Sequence, residues 1–290
     1  MTAGPPAALS EAQIAAYLGR LGLDRPERAD AAALAALQDA HLRAVPFENL
    51  SIHLGEPIVL DPDALFEKVV TGRRGGFCYE LNGLFAALLE GLGFRVSRLA
   101  AQVFGPERAG PPFDHMALRV DLAEVWLADV GFGRFSRYPL RLDERGEQHD
   151  PAGVFTVRPY EDQLDVLLDG QPQYRLDLRP YALADFAPTC WWQATWPRSH
   201  FRRAPMCSRL TADGGRSTLS GSRLIVTSAA GERSERELAG AELLDAYRTE
   251  FGVDLPRLPG PAGARAGGRG APAPRRPGPP IGGVGSGHLG

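Results

Sequence analysis

Apolar residues recur at helical spacing through about the first hundred residues of the chain. Ser10 and Gln13 form a capping-box pattern ahead of one apolar face, and Gly22 is placed to end that helix. The same spacing predicts three more helices, which begin near Asp30, Asp61 and Cys78. The pattern therefore predicts a helical bundle at the N-terminus.

The apolar period then changes to two, which is the period of a β-strand. Strands are predicted for "RVSRLAAQVF" (95–104), "HMALRVDL" (115–122), "VWLADVGF" (125–132), "YRLDLRP" (174–180) and, with a turn inside it, "TLSGSRLIVTSA" (218–229). Helical spacing returns in "GAELLDAYRTEFGV" (240–253). Helices followed by strands and a smaller mixed region predict an α+β fold.

The end of the chain has a different composition. Residues 259–290 hold 11 Gly, 7 Pro and four Arg, with no acidic residue. Such a segment buries too little apolar surface to offset the entropy of ordering it, so we expect it to be disordered. The residues before it are enough for one large core or about two to three small domains.

Charge and cysteine content exclude several classes of protein. The net charge is −3, and without the four arginines of residues 259–290 the chain holds 28 basic and 35 acidic residues, so it shows no nucleic-acid footprint. The N-terminus lacks the basic-then-apolar pattern of a signal peptide and no apolar run reaches membrane-span length, so we expect no membrane partner. Lys68 is the only lysine against 31 arginines, which we interpret as compositional bias. The chain has three cysteines, Cys78, Cys190 and Cys207, and they show no CxxC spacing. They predict a reduced, cytoplasmic protein with neither a disulfide framework nor a zinc site.

The stretch "RRGGFCYELN" (73–82) places Cys78 between two glycines and a predicted helix start. Unpaired N–H groups and the helix dipole stabilise a thiolate at such a position and lower the pKa of the thiol. Gly75 and Gly76 permit a sharp turn that presents the sulfur there. Taken alone, the stretch still favours a buried structural cysteine over a nucleophile.

His115 and Asp129 supply the base and the orienting carboxylate that a nucleophilic cysteine needs. In an antiparallel hairpin centred on Leu122, residues whose numbers sum to 244 face each other, and His115 and Asp129 become direct cross-strand neighbours. A one-residue slip would instead place them on opposite faces. Because Asp129 lies in an apolar run, where an unpaired carboxylate is costly, the order Cys, His, Asp predicts a cysteine triad.

These residues resemble the bacterial type of the arylamine N-acetyltransferase family. The resemblance extends over about residues 10–257, and its motifs stand in the family's order. They are "HLRAVPFENL" (41–50), "RRGGFCYELN" (73–82), "DHMALRV" (114–120), "WLADVGFG" (126–133), "PRSHF" (197–201) and "FGVDL" (251–255).

The resemblance implies three domains around a cysteine-triad core. A helical bundle carrying the nucleophile would span residues 1–97, and a β-barrel carrying the His and Asp of the triad would span residues 98–205. An α/β lid would follow over residues 206–258, before the disordered Gly/Pro/Arg-rich tail at 259–290.

The resemblance also implies a ping-pong reaction. Cys78 would take an acetyl group from acetyl-CoA and pass it to an arylamine, arylhydrazine or arylhydroxylamine, as in xenobiotic metabolism. His115 would act as the base and Asp129 would orient it. Acetyl-CoA is then a substrate, no metal is implied, and a homodimer is left open.

Further positions are assigned by the same resemblance. A pair between Glu48 and Arg74 would hold the Cys78 loop. Aromatic substrate-binding positions are Phe47, Tyr79, Phe132 and Phe201, of which Phe47 and Phe132 fit core packing equally well. The donor CoA would pass along the loop 108–114, although two prolines and Asp114 there are unfavourable to a polyphosphate. Cofactor-binding positions are Phe113, Gly131 and Gly133, where glycine lets a ligand approach the backbone.

Three alternatives stay open at this stage. An amide synthase that closes ansamycin-type macrolactams would use the same triad with a carrier-bound acyl donor. A cysteine hydrolase or transglutaminase-like enzyme shares the Cys, His, Asp order, although "PFENL" and "FGVDL" favour the acetyltransferase. A catalytically silent ligand-binding module is disfavoured by the intact triad.

Overall fold

The structure, a computed structural model, describes residues 8–105 and 108–260, so that most of the segment predicted to be disordered lies outside the described residues. The N-terminal part is helical: α1 (Glu11–Leu21), α2 (Ala31–Ala44), α3 (Leu50–Leu54), α4 (Pro62–Phe66) and α5 (Cys78–Gly91). A π-helical turn, Glu67–Thr71, follows α4. The predicted capping box of Ser10 and Gln13 is confirmed, and Gly22 ends α1 in the left-handed region with φ 71°.

The first strand, β1 (Phe47–Glu48), joins the second of two antiparallel sheets. The first sheet is built from β2 (Arg95–Val103), β3 (His115–Asp121), β4 (Val125–Ala128), β5 (Leu140–Arg141), β6 (Gln148–Asp150), β7 (Gly153–Tyr160), β8 (Gln163–Leu168) and β9 (Gln171–Tyr181). Their spatial order is β5-β4-β3-β2-β9-β8-β7-β6.

The two edge strands of this sheet approach each other. The Gln148 side chain accepts a hydrogen bond from the Arg141 N–H at 2.6 Å and donates one to the Arg141 carbonyl at 2.9 Å. One amide side chain thus replaces a strand pair between β5 and β6, and the sheet becomes a nearly closed barrel. This confirms the predicted β-barrel.

The hairpin of β3 and β4 has a different register from the predicted one. Leu118 faces Ala128 and Asp121 faces Val125, so facing residues sum to 246 rather than 244. The prediction that His115 and Asp129 are direct partners is therefore wrong. Its centre, Leu122, was misplaced because the turn spans residues 122–124, with Leu122 N–H bonded to the Glu124 carbonyl at 3.0 Å. A shift of two preserves the side-chain face.

A short helix, α6 (Ala187–Thr195), leads to the second sheet. This sheet contains β10 (Met206–Leu210), β11 (Arg216–Ser220), β12 (Arg223–Thr227) and β13 (Arg233–Glu237), with α7 (Ala241–Phe251) after them. Its order is β1-β10-β11-β12-β13. A strand from the helical part thus extends the C-terminal sheet, and the division of the chain at residues 97, 205 and 258 stays a prediction.

Helix α5 lies at the centre of the largest apolar cluster. Its residues from 78 to 89 are all buried, and the cluster also takes in Met116 and Leu118 of β3 and Val130 beyond β4. Packing of α5 against β3 brings the start of the helix close to the start of the strand. Over the described ranges, no helix is long and apolar enough to cross a membrane.

Candidate active site

Cys78 is the first residue of α5, and a tight loop presents it. The backbone of Gly76 forms a parallel bridge with Phe47, and the Glu48 N–H donates to the Gly76 carbonyl at 2.8 Å. A Cβ on Gly75 would lie 1.9 Å from the Pro46 carbonyl oxygen, so no larger residue fits there. Gly75 is thus required by the close approach of the chain at Pro46 and β1, whereas a Cβ on Gly76 would meet the Glu80 side chain at 2.8 Å.

The environment of the Cys78 thiol differs from the expectation for a helix start. Its side chain is buried, and burial raises the pKa of the thiol well above the ordinary value, although a hydrogen bond from the Met116 N–H acts in the opposite direction. The expected lowering of the pKa by the helix start alone is therefore wrong. A thiolate at Cys78 needs a base that accepts the proton and stays beside it as a cation.

His115 and Asp129 form a buried pair at the start of β3 and just beyond the end of β4. His115 Nε2 lies 2.7 Å from Asp129 Oδ2. A carboxylate accepts a hydrogen bond and does not donate one, so this contact places the imidazole proton on Nε2 and leaves Nδ1 as an acceptor. His115 and Cys78 line the same cavity.

Three more donors fix the Asp129 carboxylate. Tyr174 O–H donates to Oδ2 at 3.1 Å, and Asn82 Nδ2 and the Gly131 N–H donate to Oδ1 at 2.8 and 2.9 Å. Four hydrogen bonds thus compensate for the burial of this carboxylate.

Sequence reasoning missed Asn82 and Tyr174. The spacing signal for Asn82 was present, because it follows Cys78 by four residues and so shares its face of α5. For Tyr174, which reaches Asp129 from β9, the linear sequence carried no such signal.

Glu48 and Arg74 form the predicted ion pair behind the Cys78 loop. An Arg74 nitrogen lies 3.0 Å from Glu48 Oε1, and the Leu50 N–H donates to the other carboxylate oxygen at 2.6 Å. Glu48 is fully buried and the Arg74 side chain is only 12% exposed. The contact is therefore an internal tie between β1 and the loop, unlike a surface pair of small value.

A cavity of about 690 Å³ opens over Cys78 and His115, within the usual size range of ligand sites. The rings of Phe47, Phe132 and Phe201 line it. The Phe132 ring stands edge-on to the His115 ring with centroids 5.1 Å apart. Three of the four predicted aromatic positions thus line the same cavity as Cys78.

Tyr79 and Phe113 do not line this cavity. Tyr79 is fully buried, and its hydroxyl donates to the Phe113 carbonyl at 2.8 Å. The Phe113 ring packs edge-on against Tyr181 and Phe186. Tyr79 lies next to Cys78 in sequence, but on α5 its side chain points along a different direction from the thiol, into the core.

The glycines of "GFG" have separate roles. Gly131 also lines the cavity, and a Cβ there would lie 2.7 Å from the Cys78 Cα, so the absence of a side chain lets the backbone of α5 approach closely. Gly133 lines the cavity and has φ 86°, a conformation that favours glycine.

The charged side chains in the rest of the cavity lining are mostly basic. Four arginines contribute to it: Arg134, Arg137, Arg216 and Arg233. Burial, followed by the neighbouring Arg134, lowers the pKa of Arg216 to about 10. Asp114 also lines the cavity, and Gln193 donates a hydrogen bond to its carboxylate. In the part of the chain that the structure describes, no cluster of three His, Cys, Asp or Glu side chains is suited to a metal ion.

Comparison with known proteins agrees with this geometry. A family model described as N-acetyltransferase matches residues 30–258. An arylamine N-acetyltransferase of Mycolicibacterium smegmatis is 36% identical over 256 residues, covering 84% of this chain and 93% of that protein.

Solved structures give the same result. The arylamine N-acetyltransferase from Salmonella typhimurium matches with a TM-score of 0.80 at 33% identity, covering 84% of this chain and 92% of that one. The enzyme of Mycobacterium marinum, solved in complex with CoA, matches with a TM-score of 0.77 at 31% identity, covering 83% and 92%. The chain belongs to the arylamine N-acetyltransferase family and is an acyltransferase.

Proposed function

We propose that this enzyme transfers an acetyl group from acetyl-CoA to arylamines, arylhydrazines or arylhydroxylamines by a ping-pong reaction through a thioester at Cys78. The observation that carries the proposal is the placement of the Cys78 thiol and the His115–Asp129 pair on one aromatic-lined cavity. Cys78 is the nucleophile, His115 is the base and Asp129 orients the imidazole.

The first half-reaction acetylates the enzyme. Nδ1 of His115 takes the proton of the Cys78 thiol, and the resulting imidazolium is stabilised by the Asp129 carboxylate. The thiolate attacks the thioester carbon of acetyl-CoA. When the tetrahedral intermediate collapses, the bond to the CoA sulfur breaks, and His115 returns the proton to that sulfur.

The second half-reaction transfers the acetyl group. The amine nitrogen of the acceptor attacks the Cys78 thioester, and His115 takes the proton that the nitrogen loses. The bond between the acetyl carbon and the Cys78 sulfur then breaks, which releases the amide and restores the thiolate. Backbone N–H groups at the start of α5 are the candidate donors to the oxyanion in both halves.

The cavity fits both substrates in turn. The rings of Phe47, Phe132 and Phe201 offer edges and faces to an aromatic acceptor. Arg134 and Arg216 of the lining suit the phosphates of CoA, because guanidinium groups bind phosphate in a bidentate manner, whereas Arg137 and Arg233 already pair with Asp39 and Glu235. Binding of CoA by the relative from Mycobacterium marinum supports acetyl-CoA as the donor. The cytoplasmic location, a role in xenobiotic metabolism and a homodimer stay predictions.

Intact-mass spectrometry tests the proposal directly. Incubation with acetyl-CoA alone is expected to add one acetyl group to nearly every molecule of the wild-type enzyme, and none to Cys78→Ala. Addition of aniline or an arylhydrazine is then expected to discharge the adduct and yield the acetylated amine.

The outcomes separate the competing functions. Absence of the adduct on the wild type, or an adduct that persists in Cys78→Ala, would overturn the acetyltransferase proposal. Rapid loss of the adduct in water without an amine would indicate a hydrolase. Acylation by a carrier-bound substrate but not by acetyl-CoA would indicate an amide synthase.

A further inference from the structure

Lys68 is the only lysine in a chain with 31 arginines, and it lies directly before the loop that carries Cys78. It belongs to the π-helical turn Glu67–Thr71, a local form that is rare and often found at functional sites. Composition alone indicates no role for Lys68, whereas its contacts in the folded protein do indicate one.

The Lys68 ammonium group reaches the start of α5 through one intermediary. Its Nζ lies 2.6 Å from Glu80 Oε1. The other oxygen of that carboxylate accepts the Phe77 N–H at 3.3 Å. Phe77 is the N-cap of α5, and Cys78 follows it as the first helical residue. Lys68 thus holds the carboxylate that caps the helix at the proposed nucleophile.

The Lys68 backbone fixes the other end of the same loop. Its carbonyl accepts the Arg74 N–H at 3.1 Å. Toward the end of the loop, Gly76 packs directly on Glu80, because a Cβ there would lie 2.8 Å from the Glu80 Cβ. The loop from 72 to 77 is therefore attached to Lys68 at two points, and only one of them depends on the side chain.

Charge is concentrated around this ammonium group. The Lys68 side chain is 18% exposed and that of Glu80 is 2% exposed. Burial opposes the charge on Lys68, but the carboxylates of Glu80 and Glu48 outweigh it and raise the pKa of Lys68. Burial also raises the pKa of Glu80, while Lys68 acts against that rise. Besides burial, Cys190, Asp114 and Asp129 already raise the pKa of the Cys78 thiol, and Lys68 offsets the charge of a further carboxylate, that of Glu80, at the start of the same helix.

The identity of the residue fits this position. An ammonium group is a compact point charge on a flexible stem, whereas a guanidinium group is a wide planar fork. The Lys68 ammonium group meets a single carboxylate oxygen, Glu80 Oε1, at 2.6 Å, and such a contact needs a point charge and not a bidentate fork. Arginine serves as the cation at every other basic position of the chain.

We propose that Lys68 is a positioning residue for Cys78, which neutralises and holds Glu80 so that the helix start presents the sulfur as a reactive thiolate. This inference rests on the proposed function, in which Cys78 is the nucleophile. Neither the family resemblance nor the comparisons assign a role to Lys68 or Glu80.

The proposal is tested by removing either charge and measuring the pH dependence of Cys78 alkylation by iodoacetamide. Loss of the Lys68 cation and loss of the Glu80 anion are expected to shift the pH midpoint in opposite directions. Lys68→Met removes a cation near the start of α5 and frees the carboxylate that it holds there, so the pH midpoint is expected to rise by about half a unit or more, about threefold in thiolate population. Glu80→Gln keeps an acceptor for the Phe77 N–H and removes the negative charge, so the midpoint is expected to fall. The double variant is expected to return towards the wild type, with acetylation by acetyl-CoA following the same order.

Arg175→Met provides the matched control. Arg175 pairs with Asp165 in the barrel at 2.6 Å, and its side chain is also 18% exposed. Its loss is expected to lower the urea midpoint of unfolding to a similar degree and to leave the alkylation profile of Cys78 unchanged.

The result that would overturn the proposal is a Lys68→Met profile equal to that of Arg175→Met. If Lys68→Met does not fold, Glu80→Gln decides alone, and an unchanged or raised midpoint refutes the proposal. Acetylation of wild-type Cys78 in the intact-mass experiment is measured beside these variants. A wild type that takes up no acetyl group refutes the proposed function, whereas an acetylated wild type with unshifted variants refutes only the role of Lys68.

Discussion

Replacement of Asp129 by asparagine is expected to preserve the fold and abolish most of the activity. The carboxylate receives four donors, two on each oxygen. The Asn82 amide and the Gly131 N–H donate to Oδ1, while His115 and Tyr174 O–H donate to Oδ2. An amide offers one acceptor and one donor group, so it cannot reproduce both sides.

The groups around the two oxygens of residue 129 determine how the new amide is oriented. A backbone N–H cannot turn away, so the amide oxygen has to stay beside Gly131 and Asn82. The amide NH₂ then faces His115 Nε2, which accepts only when the imidazole proton moves to Nδ1, and the Tyr174 hydroxyl rotates to accept as well. Because most donors keep a partner, the free energy of unfolding is expected to fall by only about 1–3 kcal/mol.

The activity is expected to fall far more than the stability. With its proton on Nδ1, His115 can no longer take the proton of Cys78. In a nucleophile–His–Asp triad, loss of the carboxylate lowers kcat by about 10⁴ through the wrong tautomer. We therefore expect a loss of about 10³–10⁴ in the rate of Cys78 acetylation.

Two measurements on each variant check this expectation. Urea unfolding followed by tryptophan fluorescence gives the stability, and single-turnover acetylation followed by intact mass gives the rate. Tyr174→Phe is the matched control, because it removes one donor to Asp129 and leaves the tautomer unchanged. Its stability is expected to fall by about 1–2 kcal/mol and its rate by less than about tenfold. An Asp129→Asn enzyme within about tenfold of the wild-type rate would refute the tautomer reasoning, and one that does not fold would refute the assignment of the four donors.

Three further predictions follow from the same geometry. In His115→Asn, the buried Cys78 thiol has no base beside it, so the pH midpoint of its alkylation is expected to lie above about 8.5. The wild type is expected to react well below that pH. Equal midpoints would contradict the thiolate–imidazolium pair. In Gly131→Ala, the new Cβ would lie 2.7 Å from the Cys78 Cα and would displace the start of α5. The rate of Cys78 acetylation is expected to fall by at least about tenfold. Full activity would show that α5 can move away without misplacing the sulfur. Burial raises the pKa of Glu48, but the neighbouring cations outweigh it and lower the pKa below the usual value. The ionised Glu48 carboxylate therefore stabilises the fold above its pKa in the unfolded state, and this contribution is lost as the pH falls through its pKa in the folded state. The urea midpoint of the wild type should fall more between pH 6 and pH 3 than that of Glu48→Gln. Parallel curves for the two proteins would contradict this.

Local rules in the sequence predicted α1, α2, α4, α5 and α7, but not the short helices α3 and α6. The capping box at Ser10, the left-handed glycine at Gly22 and the start of α5 at Cys78 depend on residues within one turn of each other, and all three agree with the structure. The motif set also identified the family, and it placed Cys78, His115 and Asp129 in one site.

Long-range pairing was decided by the tertiary structure. The hairpin register differs from the predicted one by two, because the loop between β3 and β4 sets it and period-two patterns do not distinguish registers two residues apart. Strand β1 was not predicted in the C-terminal sheet, because it has only two residues and pairs with β10, more than a hundred residues away in the chain.

The pKa of the thiol and the role of Lys68 also depend on the tertiary fold. A helix start is visible in the sequence, but burial of Cys78 is a property of the packed core, and it reverses the expected direction of the pKa shift. Tyr174 reaches Asp129 from β9, and Lys68 reaches Glu80 from the π-helical turn. The sequence by itself determined which residues can do the chemistry. Only the fold decided which neighbours hold them and set their charge, because burial and hydrogen bonding arise from residues far apart in the chain.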